Sequence, residues 1–194
     1  MLPVAGASLV ALTVWGCAGH PSYERGLYPG AAPTGWWSDE GVSGSPKIVV
    51  YLDEQKACFY KGEQLVGESP VSTGKPGFST PPGEYSVISK DLDHVSTAFG
   101  DYVDDYGNVI RSDVDSREDP RPKGSHFDGA RMPYAMFFRG GYAMHEGYVP
   151  PFAASHGCIR LPEGMARPFY ENAPVGTPVI VTDYTLGDLR RFAE

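Results

Sequence analysis

Between Lys47 and Thr73 the chain alternates short β-branched and aromatic runs with tight polar turns, and this pattern admits strands but leaves no room for a helix. Lys47-Ile48-Val49-Val50-Tyr51-Leu52 meets the turn Asp53-Glu54-Gln55, and Lys56-Ala57-Cys58-Phe59-Tyr60 meets the turn Lys61-Gly62-Glu63-Gln64. Residues 65–73 complete a set of three, which predicts an antiparallel meander. Further strands are expected over residues 83–90, 132–138, 141–145 and 177–182. Strands at this spacing predict a mostly β fold, a sandwich or a partly closed barrel, rather than strands alternating with helices. A helix is expected from Pro162-Glu163, turning Met165, Ala166, Phe169 and Tyr170 inward, with Pro168 shortening or kinking it. A second short helix is expected from Thr185-Leu186-Gly187-Asp188 to Arg190-Arg191.

The chemistry concentrates in Met144-His145-Glu146 and in Ala154-Ser155-His156-Gly157-Cys158-Ile159-Arg160-Leu161. A free thiol has a pKa near ~8.5 and is a weak nucleophile at neutral pH until its proton is removed. An imidazole can take that proton and return it later. His145 is the candidate base. Glycine at 157 permits a positive φ or a close backbone approach, which would aim the amides near Gly157 and Cys158 at one spot, an oxyanion hole. Ser155 reads as a hydrogen-bonding anchor of the turn or a substrate contact. His156 reads as a residue that shapes the loop or touches substrate. Arg160 has a planar fork suited to a carboxylate, with a structural salt bridge as the other reading. Tyr134 and Met136 alternate with Ala135 and share a face, lining either a cleft or the core. His20, His94 and His126 receive no role. Zinc on His145, His156 and Cys158 would need a fourth ligand and would mask the thiolate, so no metal and no cofactor are assigned.

The order of these motifs resembles the L,D-transpeptidase (YkuD-type) catalytic domain, in which a histidine is followed by [Ser/Thr]-His-Gly-Cys. The resemblance extends to Ile48-Val49-Val50-Tyr51-Leu52 with Gln55-Lys56-Ala57, Pro70-Val71-Ser72-Thr73-Gly74-Lys75, Thr80-Pro81-Pro82-Gly83-Glu84-Tyr85, residues 132–138, and Val175-Gly176-Thr177-Pro178-Val179. It implies that Cys158 attacks a peptidoglycan tetrapeptide stem at the diaminopimelate carbonyl. A thioester forms, and an amine acceptor then resolves it. It also implies that the peptide carbonyl of Glu146 orients His145, the Glu146 carboxylate being the alternative. Water as acceptor would make the same fold an L,D-carboxypeptidase. A wall-binding lipoprotein without activity is the reading from a different class, and the intact Cys158 and His145 speak against it.

Charge and cysteine usage narrow the setting. The net charge of −8 offers no basic surface for phosphates, so nucleic acid is excluded as a partner. The three cysteines, Cys17, Cys58 and Cys158, fit no metal spacing, and Cys58 reads as a small buried residue of a strand. Residues 1–17 read as a signal segment ending in Val14-Trp15-Gly16-Cys17, which resembles a lipobox with Cys17 acylated. The expected organisation is that segment, a tether over 18–45 and a catalytic domain over 46–194. Export to the periplasm or cell envelope, with a lipid anchor in the membrane, follows as an expectation. Within the domain, residues 91–128 hold ten acidic side chains against four basic ones. They are expected to form a solvated acidic hairpin turning at Asp105-Tyr106-Gly107-Asn108, or a lid whose carboxylates meet diaminopimelate ammonium groups.

Overall fold

The computed structural model describes residues 34–185. The Cys17 segment and the helix expected after Thr185 lie outside the described residues.

Eleven strands and one helix are described. In chain order they are β1 (Trp36–Trp37), β2 (Pro46–Tyr51), β3 (Lys56–Lys61), β4 (Gln64–Pro70), β5 (Gly83–Ser86), β6 (Ser89–Val103), β7 (Val109–Asp115), β8 (His126–Arg139), β9 (Tyr142–Glu146), β10 (Ile159–Leu161), α1 (Ala166–Asn172) and β11 (Pro178–Thr182). They form a six-stranded sheet in the order β1-β4-β3-β2-β11-β5 and a five-stranded sheet in the order β10-β9-β8-β6-β7. The expected meander is β2-β3-β4, antiparallel throughout. The architecture is the sandwich of the two expected forms, because the sheets do not close into a barrel.

The core lies between the sheets. Ile48, Val50, Phe59 and Val66 come from one, and Met136, Phe138, Met144, Ile159 and Leu161 from the other. Val49, Tyr51 and Cys58 form a smaller cluster on the opposite face of β2 and β3, so Cys58 is the buried strand residue expected. Phe169 of α1 meets Phe59 edge-on at 5.3 Å. The helix begins at Ala166 rather than Pro162, which puts Pro168 in its first turn. There the missing N–H has no helical partner to lose, and the proline needs no kink.

One expectation is revised and one is met. The stretch assigned to a tether joins the sheet at Trp36–Trp37, which pair with Glu68 and Gly67. The Trp37 ring packs on Phe59 at 5.0 Å and on Phe169 at 5.7 Å. The acidic region 91–128 forms the expected hairpin, followed by a loop over 116–125. It spans most of β6, all of β7 and the start of β8, with the chain reversing at 104–108 as expected. Several of its carboxylates are held by the protein's own groups: Asp115 by Arg117 Nε at 2.8 Å, Asp91 by His94 at 3.0 Å, and Asp119 by Arg111.

Candidate active site

β10 runs parallel to β9, with Ile159 beside Met144 and Arg160 beside His145. Ile159 and Met144 are fully buried in the core. Alternation along the strands therefore turns Cys158, Arg160, Ala143 and His145 to the opposite face of the same sheet. On that face Cys158 packs in a small apolar cluster with Met132, Ala135, Phe137 and Ala143.

His145 is only 6% exposed, and its Nδ1 lies 2.7 Å from the Glu146 carbonyl oxygen. The ring is thus oriented by the peptide carbonyl of Glu146 and not by its carboxylate. A carbonyl can only accept, so Nδ1 carries the hydrogen and Nε2 keeps its lone pair. Burial lowers the His145 pKa to about 4, and the charges of Arg160 and His94 push the same way against the Glu146 carbonyl. Burial likewise pushes the Cys158 thiol up, opposed by the Ala143 backbone N–H and by Arg160. At neutral pH the two groups rest as thiol and neutral imidazole, and a proton moves only when the reaction calls for it.

The turn that presents Cys158 is fixed from several sides. Ser155 is buried, and its hydroxyl donates to the Cys158 carbonyl at 2.5 Å while accepting the Gly157 N–H at 3.0 Å. It is the anchor of the turn and does not face substrate. Gly157 has φ +108, and a Cβ there would stand 2.6 Å from Tyr142 Cε1. Its N–H is committed to Ser155, so Gly157 does not supply the oxyanion donor expected of it. Thr80 donates to the Gly157 carbonyl at 2.8 Å and accepts the Gly74 N–H at 2.9 Å. Gly74 is required at that approach, since a Cβ would lie 2.0 Å from the Phe78 carbonyl oxygen. Ser72 exchanges backbone hydrogen bonds with Arg160 at 3.0 and 2.9 Å, and Gln55 holds Thr73 through its side-chain amide. The segments 70–75 and 80–85 are the struts of the Cys158 turn.

His156 does not pair with His145. Its ring stacks on Phe99 of β6 at 4.4 Å and 15° and meets Phe78 edge-on at 4.6 Å. Its Nε2 lies 3.6 Å from Asp113 Oδ1 on β7. Asp113 also accepts from Lys75 Nζ at 2.9 Å. Burial opposes its charge, but Lys75, His156 and Arg160 outweigh that and hold the carboxyl below the usual range. The β6–β7 hairpin therefore reaches the motif loop.

Tyr134 and Met136 share a face, but that face is the core. Met136 is buried between the sheets, and Tyr134 packs on Tyr170 at 5.8 Å. Tyr134 has φ +57, which shifts the alternation so that Met132 and Ala135 fall together on the Cys158 side. Neither Tyr134 nor Met136 is placed to bind substrate. His94, given no role, sits on this side of the sheet, edge-on to Phe137 at 4.9 Å. Lys75, Thr80, Phe99 and Asp113 were also missed. Lys75 and Thr80 could have been found from their places in the Ser-Thr-Gly-Lys and Thr-Pro-Pro-Gly stretches, whereas Phe99 and Asp113 carry no local signal. Among the described residues no group of three His, Cys, Asp or Glu is placed to hold a metal ion.

Known proteins share the sequence pattern and the fold. The L,D-transpeptidase catalytic domain (YkuD) family model matches residues 45–181. A curated relative, a probable L,D-transpeptidase 3 of Mycobacterium tuberculosis, is 32% identical over 148 residues, which is 75% of this chain and 48% of the relative. The chain thus spans about half the length of the curated relative it matches. An L,D-transpeptidase from Mycobacterium smegmatis shares the fold with a TM-score of 0.56 at 23% identity, covering 72% of this chain and 59% of that one. An L,D-transpeptidase solved in complex with imipenem gives 0.54 at 21% identity, covering 71% and 59%. With the family model matched over most of the sequence and a curated relative 32% identical across three quarters of it, this chain belongs to the L,D-transpeptidase (YkuD) catalytic-domain family.

Proposed function

We propose that the chain is a cysteine L,D-transpeptidase acting on diaminopimelate-containing peptidoglycan tetrapeptide stems. The observation that carries this reading is that strand register puts Cys158 and His145 on one face, with the Glu146 carbonyl leaving His145 Nε2 as a base. His145 takes the Cys158 proton as Sγ attacks the carbonyl carbon between diaminopimelate and the terminal D-alanine. The tetrahedral oxyanion collapses, the C–N bond breaks, and His145 returns the proton to the departing D-alanine amine. A thioester remains. An amine of a second stem loses its proton to His145 and attacks the thioester, and the sulfur leaves to recover the thiol. Because Gly157 is committed, the oxyanion donors are other backbone amides at this turn. Arg160 lies on the same face as the nucleophile and is the side chain assigned to a substrate carboxylate.

One structural neighbour was solved in complex with imipenem, which makes that compound a probe for this chain. Acylation of Cys17, with anchoring to the cell envelope, is proposed from Val14-Trp15-Gly16-Cys17 alone. Fatty-acid labelling of the wild type but not of Cys17→Ser tests it. The functional experiment is incubation with purified tetrapeptide-rich muropeptides followed by mass spectrometry. Cross-linked dimers are expected. Trimmed monomers alone would make the protein a carboxypeptidase, and unchanged muropeptides would defeat the reading.

A further inference from the structure

Groups from three different elements converge on one carboxylate beside the Cys158 turn. Lys75 Nζ, from the loop after β4, lies 2.9 Å from Asp113 Oδ2. His156 Nε2, from the turn itself, lies 3.6 Å from Asp113 Oδ1. The charge of Arg160, from β10, acts on the same carboxyl. Lys75 and Arg160 are cationic, and His156, whose pKa burial lowers, is a neutral ring able to donate; positioned donors of this kind are how a protein recognises a carboxylate, whichever chain carries it.

Asp113 does not belong to the framework around the nucleophile. It arrives on β7, at the outer edge of its sheet. Its placement is imposed by the hairpin. The φ of +58 is left-handed, a conformation disfavoured for a residue with a Cβ. The Asp113 N–H is held by Asp101 Oδ1 at 2.9 Å, and Phe99 of the same hairpin stacks on His156. Yet the Asp113 side chain is 55% exposed. An exposed ion pair of this kind shifts an equilibrium by no more than about fivefold, so it opens readily.

We propose that Lys75 and His156, with the charge of Arg160, form a carboxylate-binding subsite beside the Cys158 turn, which Asp113 fills as a stand-in until the C-terminal carboxylate of an incoming stem peptide displaces it. The inference rests on the stem peptide being the acyl donor. A tetrapeptide donor carries that carboxylate on the D-alanine just beyond the attacked carbonyl, within reach of residues that flank the nucleophile. One carboxylate replaces another, so the charge in the subsite is unchanged and no bond is made or broken.

The test is steady-state kinetics of the full chain with a tetrapeptide donor and with the same peptide bearing a C-terminal carboxamide. Asp113→Asn removes the competitor, so KM for the carboxylate peptide falls about twofold to fivefold with kcat little changed. Lys75→Met, which lies off the hairpin, removes a donor of the subsite and raises KM about threefold to tenfold. On the carboxamide peptide both variants match the wild type. A KM that rises in Asp113→Asn, as a purely structural contact would give, overturns the proposal. So does a Lys75→Met effect that persists on the carboxamide. If the wild type turns over neither peptide, the donor reading has failed, and the subsite is decided by calorimetric titration of N-acetyl-D-alanine into Cys158→Ser. Tighter binding with Asp113→Asn added and weaker binding with Lys75→Met added support the subsite, and equal binding overturns it.

Discussion

His145 Nδ1 lies 2.7 Å from the carbonyl oxygen of Glu146, its neighbour in the chain. This contact fixes the tautomer, and it needs no second side chain to do so. Such an orienter carries no full charge, so it offsets burial only in part, and the imidazole stays hard to protonate.

The acidic limb of the acylation rate follows from this. With His145 at about 4, kcat/KM should stay high down to roughly pH 5 and fall only below it. His145→Ala should lower acylation by about 10²–10⁴-fold, far more than His156→Ala. Stopped-flow acylation across about pH 3–7.5, which spans about one unit beyond both limits, checks both claims. A limb centred near ~6.5 would mean that His145 titrates as if exposed.

Stability should show the same group with a definite sign. Above about pH 6.5 His145 is neutral folded and unfolded, and it contributes no slope. As pH falls toward about 4, the unfolded chain binds a proton that the folded chain refuses, so stability is lost across that window. The loss from this one group is at most about 3 kcal/mol. Urea denaturation of wild type and His145→Gln at pH 7 and pH 4.5 reads it, and the variant should show the smaller difference between the two.

Cys158 and Cys58 should differ sharply toward electrophiles. Cys58 is fully buried, with its thiol pushed up to about 11. Cys158 is partly exposed. Imipenem or a tetrapeptide donor should form one covalent adduct, mapped to the peptide containing Cys158. Cys158→Ala should abolish it and Cys58→Ala should retain it. An adduct persisting in Cys158→Ala would remove the proposed nucleophile.

Gly157→Ala should separate function from folding. The new methyl meets Tyr142 at 2.6 Å on a backbone held at φ +108. Strain and overpacking together should cost about 2–4 kcal/mol, seen as a lower Tm. Relief must come through the turn that carries Cys158, so acylation should fall more than stability alone explains. Adding Tyr142→Ala should restore part of the Tm but not the acylation rate, because the φ penalty remains.

Much of this site was legible in the sequence, for a physical reason. Cys158, His145, Ser155 and Gly157 act through local geometry, and a short motif encodes local geometry. The meander β2-β3-β4 was legible because its turns are short and its faces alternate. Tyr134 and Met136 were read correctly as sharing a face, but whether that face is cleft or core was not legible, and nothing in Met132-Pro133-Tyr134-Ala135 announces the left-handed residue that brings Met132 to the Cys158 side. Trp37 was counted with the tether because two residues are too few to show a strand period, yet its ring bridges Phe59 and Phe169. Asp113 was hidden for a different reason. It stands 38 residues from Lys75 and meets it only because the β6–β7 hairpin is long enough to reach over the motif loop.

The hairpin aspartates should respond one by one and not as a block of charge. Asp104 accepts the N–H of Tyr106 and of Asn108 and the side-chain amide of Asn108, so it builds the turn. Asp104→Ala should speed amide exchange in β6 and β7, costing the hairpin about 1 kcal/mol per bond that finds no substitute. Asp101 holds the Asp113 N–H, and Asp101→Ala should change KM by releasing that residue. The Asp105 side chain is 93% exposed, and His126, 4.0 Å away, is itself exposed. Asp105→Asn should leave kcat/KM unchanged at both low and high salt. If all three substitutions instead weaken substrate use equally, and added salt erases the effect, then the hairpin acts through its summed charge over roughly 8–10 Å. In that case the individual hydrogen bonds would be incidental to function.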